Sequence, residues 1–245
     1  MQQFADIADI PPDVRPIYER LRSKYSLEFD PLTVRGRRFN FLHLSDIEPL
    51  IGDKDVFADT SDFPFWVKIW EASIVLADFM ARLPVNHASR VLELGAGLGV
   101  AGLVAAGFGH RVTITDYEDE ILDFPRVSAA VNGCDGVLPV RLDWLAPCDL
   151  GLFDVIIGSE ILFNSRFFTP LLNVFERYLA PDGVVYLAHD ARRKSLGGFL
   201  RLCDGSYDIA VKRRRFHSAE ESFEIILSRF APKKNNPFSS SSVSL

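Results

Sequence analysis

The chain has 245 residues, enough for one sizeable domain with a full core and at most an accessory segment. Apolar residues make up 48% and charged residues 24%, ordinary globular values, and no apolar run nears the roughly 20 residues a membrane span needs. The net charge of -6 argues against binding nucleic acid through the overall field, and Cys134, Cys148 and Cys203, without C-x-x-C spacing, indicate packing residues rather than disulfides or a zinc site.

The N-terminal stretch MQQFADIADIPPDVRP puts acids and prolines where a secretory signal has basic and then apolar residues, so a cytoplasmic protein without a membrane partner is expected. Pro11 to Tyr25 carries Val14, Ile17, Tyr18 and Leu21 at helical spacing. Leu32 to Val34 and Phe39 to Leu44, broken by Arg35-Gly36-Arg37, predict a small hairpin. Asp46 to Pro64 is acidic and aperiodic, a loop by pattern. Trp66 to Leu83 predicts a helix with Ile69, Ile74, Leu76, Ala77 and Met80 on its apolar side.

From Arg90 onward short apolar runs alternate with helical patterns, which is how a parallel sheet with covering helices is written. The predicted strands are Arg90 to Leu94, Arg111 to Thr115, Val137 to Arg141, Phe153 to Ser159 and Val184 to His189. The helices between them are Val100 to Ala106, Glu118 to Val131 and Arg166 to Leu179, with Pro181-Asp182-Gly183 turning the last into its strand, and Ser195 to Leu202 follows. Tyr207 to Phe216 and Ser222 to Phe230, joined by a link too short for a helical crossover, must pair antiparallel. The charges of Lys212 to Arg215 suit a sheet edge that must resist mispairing. The tail KKNNPFSSSSVSL is expected to be disordered. The fold expected is α/β: a Rossmann-like seven-stranded, mainly parallel sheet with an antiparallel C-terminal hairpin, helices on both faces and a small N-terminal helix and β extension. Residues 1–65 would be an extension or lid, 66–231 the main domain and 232–245 the tail.

In such a sheet ligands bind beyond the carboxyl ends of the strands. The first end reads VLELGAGLGVAGLVAA, and its glycines fit two patterns. Gly97, Gly99 and Gly102 spell the dinucleotide G-x-G-x-x-G, whereas Glu93, Gly95, Gly97 and Gly99 spell E-x-G-x-G-x-G, the S-adenosylmethionine pattern. At the second end Asp116, about twenty residues on, can accept ribose hydroxyls or cap the next helix. At the third, Asp143 and Trp144 combine an acceptor for an adenine amino group with an aromatic cover. At the fourth, Ser159 and Glu160 follow the strand, where the Glu160 carboxylate would face a methyl donor and an incoming nucleophile or else stand as a strand-end acid in water, and at the fifth His189 is a hydrogen-bonded structural histidine before it is a base.

A pyrophosphate seeks free N–H groups at a helix N-terminus, while S-adenosylmethionine brings a sulfonium and an amino group that a carboxylate at Glu93 would suit. Together with the closing hairpin and Asp143-Trp144, this favours the methyl donor and leaves Gly102 as a helix-packing residue. With these segments assembled, the chain resembles the seven-stranded class I S-adenosylmethionine methyltransferases, and in particular the methyltransferase-16 family of protein lysine methyltransferases. The resemblance is carried by FPFWVKIWEASIVLADFM, the glycine segment, TITDY, LDW and FDVIIGSEILFN. It implies that Trp70 and Glu93 to Gly99 line the methionine and ribose side, Asp116 the ribose, and Asp143 and Trp144 the adenine. The family shows Asp-x-x-Tyr after the fourth strand, where Glu160 and Phe163 stand here, so the acid is longer and the phenol is absent.

The function expected is methyl transfer to a protein side chain, lysine first, with a small-molecule acceptor as the alternative. An NAD-dependent oxidoreductase or a non-catalytic binding protein stands further off. No metal and no nucleic-acid partner are expected. The Asn/Asp-Pro-Pro-Tyr/Phe element of adenine and glutamine methyltransferases and the G-x-S-x-G elbow of serine hydrolases are both missing from the sequence.

Overall fold

The structure is a computed structural model that describes residues 10–48, 65–85, 89–217 and 222–234. The chain begins with helix α1 (Arg15–Arg22) and a hairpin of β1 (Leu27–Val34) and β2 (Arg37–Leu44). Arg35 and Gly36 both take positive φ, 48° and 83°, which makes the two-residue turn whose twist suits a hairpin. Most of the loop expected from Asp46 to Pro64, and the tail from residue 235, lie outside the described residues.

Helix α2 spans Glu71–Met80, not Trp66 to Leu83. The pattern overreached because Trp66 and its neighbours are committed elsewhere: they form a single 3-10 turn, Phe65–Val67, and Trp70 is extended at φ -90°, ψ 144°. The buried side of α2 is Ala72, Val75, Leu76, Ala77 and Met80, while Ile69 and Ile74 are only partly buried.

The main sheet contains β3 (Arg90–Leu94), β4 (Arg111–Asp116), β5 (Val137–Arg141), β6 (Phe153–Ser159), β7 (Leu179–Asp190), β8 (Tyr207–His217) and β9 (Ser222–Pro232). Its order is β5-β4-β3-β6-β7-β9-β8, parallel except where β9 runs antiparallel to both neighbours. Between the strands lie α3 (Val100–Gly107), α4 (Asp119–Val131), α5 (Phe168–Tyr178) and α6 (Leu196–Cys203). The expected seven-stranded α/β fold is therefore the observed one. One difference lies at Pro181-Asp182-Gly183. The chain passes from α5 directly into β7 at Leu179, and these residues sit in a register shift between the Phe153 and Val155 pairings instead of a separate turn.

Alternation along the strands sends side chains to two cores. Val91, Val155 and Ile157 join α2, α3, α4 and the N-terminal hairpin; Leu92, Leu94, Ile156, Val185 and Leu187 join α5 and α6. The hairpin's Phe39 and Phe41 are fully buried, each contributing roughly 1.5–3 kcal/mol. Cys134 and Cys203 are buried as packing residues, but Cys148 is exposed, since the segment after β5 lies on the surface. No helix among the described residues is long and apolar enough to cross a membrane.

Polar ties fasten the N-terminal segment to α4. The Asn40 N–H donates to Asn132 Oδ1 at 2.8 Å, and Asn132 Nδ2 donates to the Asn40 carbonyl at 2.7 Å. Ser128 Oγ accepts from the Leu42 N–H at 2.9 Å, and Arg20 reaches Asp123 at 2.7 Å. Asn132→Ala strands both main-chain groups of Asn40, so a loss of about 1–3 kcal/mol in stability is expected by urea unfolding. An unchanged midpoint would show that the hairpin is held by its apolar face alone.

Candidate active site

The strand order reverses direction between β3 and β6, because β4 and β5 extend the sheet one way and β7 the other. A cavity of about 870 Å³ lies over the carboxyl ends of β3, β4, β5 and β6, where the connections diverge. The turn after β3 forms its floor. Gly95, Gly97 and Gly99 have φ of 57°, 53° and 74°, a left-handed path that a β-carbon would strain. Close approach adds to this: a β-carbon on Gly97 would lie 3.3 Å from the Trp66 backbone, and one on Gly99 2.7 Å from Pro125.

Two acids hold this turn. Asp116, ending β4, accepts from the Gly97 N–H at 2.8 Å with Oδ2 and from the Tyr117 N–H at 2.7 Å with Oδ1, and it lines the cavity. Burial pushes its carboxyl up to about 6, against the pull of the Gly97 and Tyr117 N–H groups. Glu93 accepts from the Gly102 N–H at 3.0 Å and is 2% exposed. It does not line the cavity, so the expectation that its carboxylate faces a ligand's cationic end is corrected. Strand alternation is the reason: Glu93 shares the face of Val91, beneath α3. Gly102 is likewise more than a packing residue, since a β-carbon there would lie 2.3 Å from Glu93 Oε2.

Beyond β5, Asp143 Oδ1 accepts from the Leu145 N–H at 2.8 Å, and Trp144 meets Phe167 edge-on at 5.8 Å. Both line the cavity with Leu142, Leu145 and Ile121. Beyond β6 the cavity is lined by Ser159, Glu160, Ile161 and Phe163, and Phe163 also meets Phe167 at 5.8 Å. Across from these stand Trp66, Lys68, Trp70 and Ser73. Trp66 packs on Phe124 at 5.3 Å, which fixes the wall to α4. All the predicted site residues that face the cavity are thus brought together; Glu93 is behind it, and Gly99 caps α3 just below.

Glu160 is a buried acid at φ 57°, an unusual conformation for a residue with a β-carbon. Its N–H donates to the Ala188 carbonyl at 2.9 Å. Its Oε1 accepts from the Asp190 N–H at 2.6 Å and its Oε2 from Arg193 Nε at 2.7 Å, with both side chains of the ion pair 5% exposed. Burial draws its pKa above the ordinary carboxylate value, and Arg193 pulls it back. No sequence motif singles out Arg193; the run Asp190-Ala-Arg-Arg-Lys at a strand's carboxyl end is the one signal for it. His189 Nε2 accepts from the Leu162 N–H at 3.3 Å, and burial pushes the ring down to about 3, so it is a neutral structural group.

A second cavity of about 240 Å³ shares Lys68, Trp70 and Glu160 with the first. Its remaining wall includes Asp190, Arg192, Arg193, Phe223 and Ile225. Among the described residues no group of His, Cys, Asp and Glu is arranged to hold a metal ion.

At the turn the Gly97 N–H is taken by Asp116, so an anion approaching that group would meet a carboxylate rather than a free donor. The architecture matches a solved SAM dependent methyltransferase from Agrobacterium tumefaciens with a TM-score of 0.60 at 18% identity, over 84% of this chain and 70% of that one. The fold is therefore that of the S-adenosylmethionine-dependent methyltransferases. The profile of the lysine methyltransferase family matches residues 56–205, and the chain belongs to that family. It is similar to the protein N-lysine methyltransferase METTL21A of Danio rerio, 37% identical over 128 residues, 49% of this chain and 58% of that protein. It is also similar to a histidine protein methyltransferase 1 homolog of Dictyostelium discoideum, 28% identical over 163 residues, 64% of this chain and 52% of that protein. The matches thus span little more than half the length of these two relatives.

The Glu93 carboxyl carries a consequence for stability. Burial pushes it up to about 8 from 4.5, partly offset by the Gly102 N–H. The folded chain therefore holds a proton that the unfolded chain releases between these values. This stabilisation is complete below pH 4.5 and is lost as pH rises toward 8, by roughly 1.4 kcal/mol per pH unit at most. Glu93→Gln removes the dependence, so the variant should gain on the wild type in urea midpoints as pH rises from 5 to 8. Parallel curves for the two proteins would contradict a protonated Glu93.

Proposed function

We propose that the protein transfers a methyl group from S-adenosylmethionine to a side-chain nitrogen of a protein, lysine being the first acceptor. The observation that carries the reading is the acid-held glycine turn in a cavity of about 870 Å³: Asp116 lines it and already accepts from the Gly97 N–H, so a carboxylate stands where a pyrophosphate would approach that group. Asp116 would hold the ribose hydroxyls, and Asp143 with Trp144 the adenine. The turn and the Trp66 to Trp70 wall would hold the methionine part. Tyr117 and Leu145, apolar cavity residues exposed at 58% and 68%, gain cover when a ring lies against them. The bound donor supplies an electrophilic methyl on a sulfonium.

The protein's part in such a transfer is alignment and removal of water. Glu160 faces both cavities and would orient the acceptor nitrogen, which would arrive by way of the smaller one. Arg193 fixes that carboxylate and offsets its charge. This matters because a bare carboxylate would favour the unreactive ammonium form of a lysine. With Phe163 in place of a phenol, positioning rests on Glu160 and the aromatic walls. Family membership and the similarity to METTL21A support a lysine acceptor; the similarity to a histidine methyltransferase keeps a protein imidazole as the second reading.

Calorimetry should find S-adenosylmethionine and its demethylated product bound and NAD not bound. Asp116→Ala should weaken the donor roughly tenfold to a hundredfold, the loss of hydrogen bonds to a charged acceptor. Methyl-labelled donor added to a cell lysate should label protein bands, and acid hydrolysis of those bands should release methyl-lysine. Label confined to small molecules would sink the protein acceptor, and NAD binding without a response to S-adenosylmethionine would sink the reading itself.

A further inference from the structure

Among the cavity-lining residues described, Lys68 is the sole lysine, and it lines both the large cavity and the smaller one beside Glu160. Its Nζ lies 4.2 Å from the centre of the Trp70 ring, and its side chain is exposed at the junction of the two spaces. Trp70 is itself held in place: it is the extended residue from which α2 starts, and its carbonyl accepts from Ser73 Oγ at 2.6 Å. The aromatic face therefore holds a primary amine where the donor cavity meets the passage assigned to the acceptor.

We propose that Lys68 is methylated by the protein's own active site. The proposal rests on the methyl-donor reading above. In this step the Lys68 ammonium gives a proton to water at the exposed mouth, and the freed Nζ lone pair attacks the methyl carbon of the sulfonium donor. The C–N bond forms as the C–S bond breaks, and the bond's electron pair returns to sulfur as a thioether. The product is an N-methylated ammonium and S-adenosylhomocysteine, with no oxidant or further reactant needed. The modified side chain keeps its positive charge, and the face of Trp70 still attracts it. It gains bulk at the junction, so a methylated Lys68 narrows the acceptor's path and turns self-modification into a brake on the transfer to other proteins.

The test uses the full chain. Peptide mass mapping of the purified protein, as isolated and after incubation with methyl-labelled S-adenosylmethionine, should find added methyl on the peptide containing Lys68. Incorporation per molecule should be independent of protein concentration, as expected of a reaction within one chain. Lys68→Arg should lose the label, whereas Lys194→Arg, altered outside both cavities, should keep it. Calorimetry of donor binding to the wild type and to Lys68→Arg supplies the readout that does not depend on turnover. Bound donor and labelled lysate proteins with an unmodified Lys68 would overturn this proposal alone. So would a Lys68→Arg protein whose main defect is weak donor binding with wild-type Lys68 unmodified, since that residue would then serve the donor. A wild type that binds no donor would overturn the proposal together with the function it rests on.

Discussion

Two side-chain carboxyl groups that accept from backbone N–H groups organise this molecule's working end. Asp116 takes the Gly97 N–H and Glu93 the Gly102 N–H, so the turn after β3 and the start of α3 are each tied to the sheet by an acid, Asp116 at the cavity wall and Glu93 buried behind it. The constraint propagates outward. Gly97 is held to glycine by its positive φ, with Trp66 close beside it, Gly99 by Pro125 and Gly102 by Glu93. The turn is therefore a joint between the sheet, two helices and the Trp66 wall, and its shape follows from crowding as much as from φ. The Asp116 carboxylate also places an acceptor in the cavity, which suits a ligand that offers hydroxyls and an apolar ring.

At the opposite wall the organising pair is Glu160 and Arg193. A buried ion pair is expensive to desolvate, and Glu160 additionally occupies a left-handed backbone conformation, about 1–2 kcal/mol above its relaxed state. The surrounding hydrogen bonds, from its own N–H to Ala188 and from the Asp190 N–H to its carboxylate, over-determine the arrangement. Such concentrated cost at the mouth of a cavity is common where a site needs a fixed charge geometry. The pair also joins β6 to the end of β7, so the antiparallel β9, which supplies Phe223 and Ile225, borders the same mouth.

Much of this was legible in the residues. Short apolar runs bounded by breakers located every strand of the main sheet, and the glycine spacing with Asp116, Asp143 and Trp144 located most of the cavity wall. Where pattern and structure differ, packing is the cause. Trp66 to Leu83 has helical periodicity, yet its first residues are committed to the wall over Gly97, so tertiary packing overrode the local pattern. Pro181 to Gly183 reads as a turn, yet Leu179 already pairs with Phe153 and the breakers sit within the strand's irregularity. The motif places Glu93 against the ligand, whereas the alternation Val91, Glu93 puts it on the face under α3. Arg193 lies 33 residues from Glu160, and no local rule links them.

What the sequence determined by itself was the succession of elements, the parallel sheet with its closing hairpin, and the strand ends at which chemistry is possible. These follow from short-range periodicity and from the few residues that break it. Folding in three dimensions settles which side chains face the cavity and which support it: Glu93 behind the turn, Asp116 on its surface, Arg193 against Glu160, and Lys68 on Trp70 between two spaces. The physical reason is that direction and pairing depend on neighbours distant along the chain. A carboxylate's partner is known only when the backbone has brought an N–H or a guanidinium within hydrogen-bonding distance.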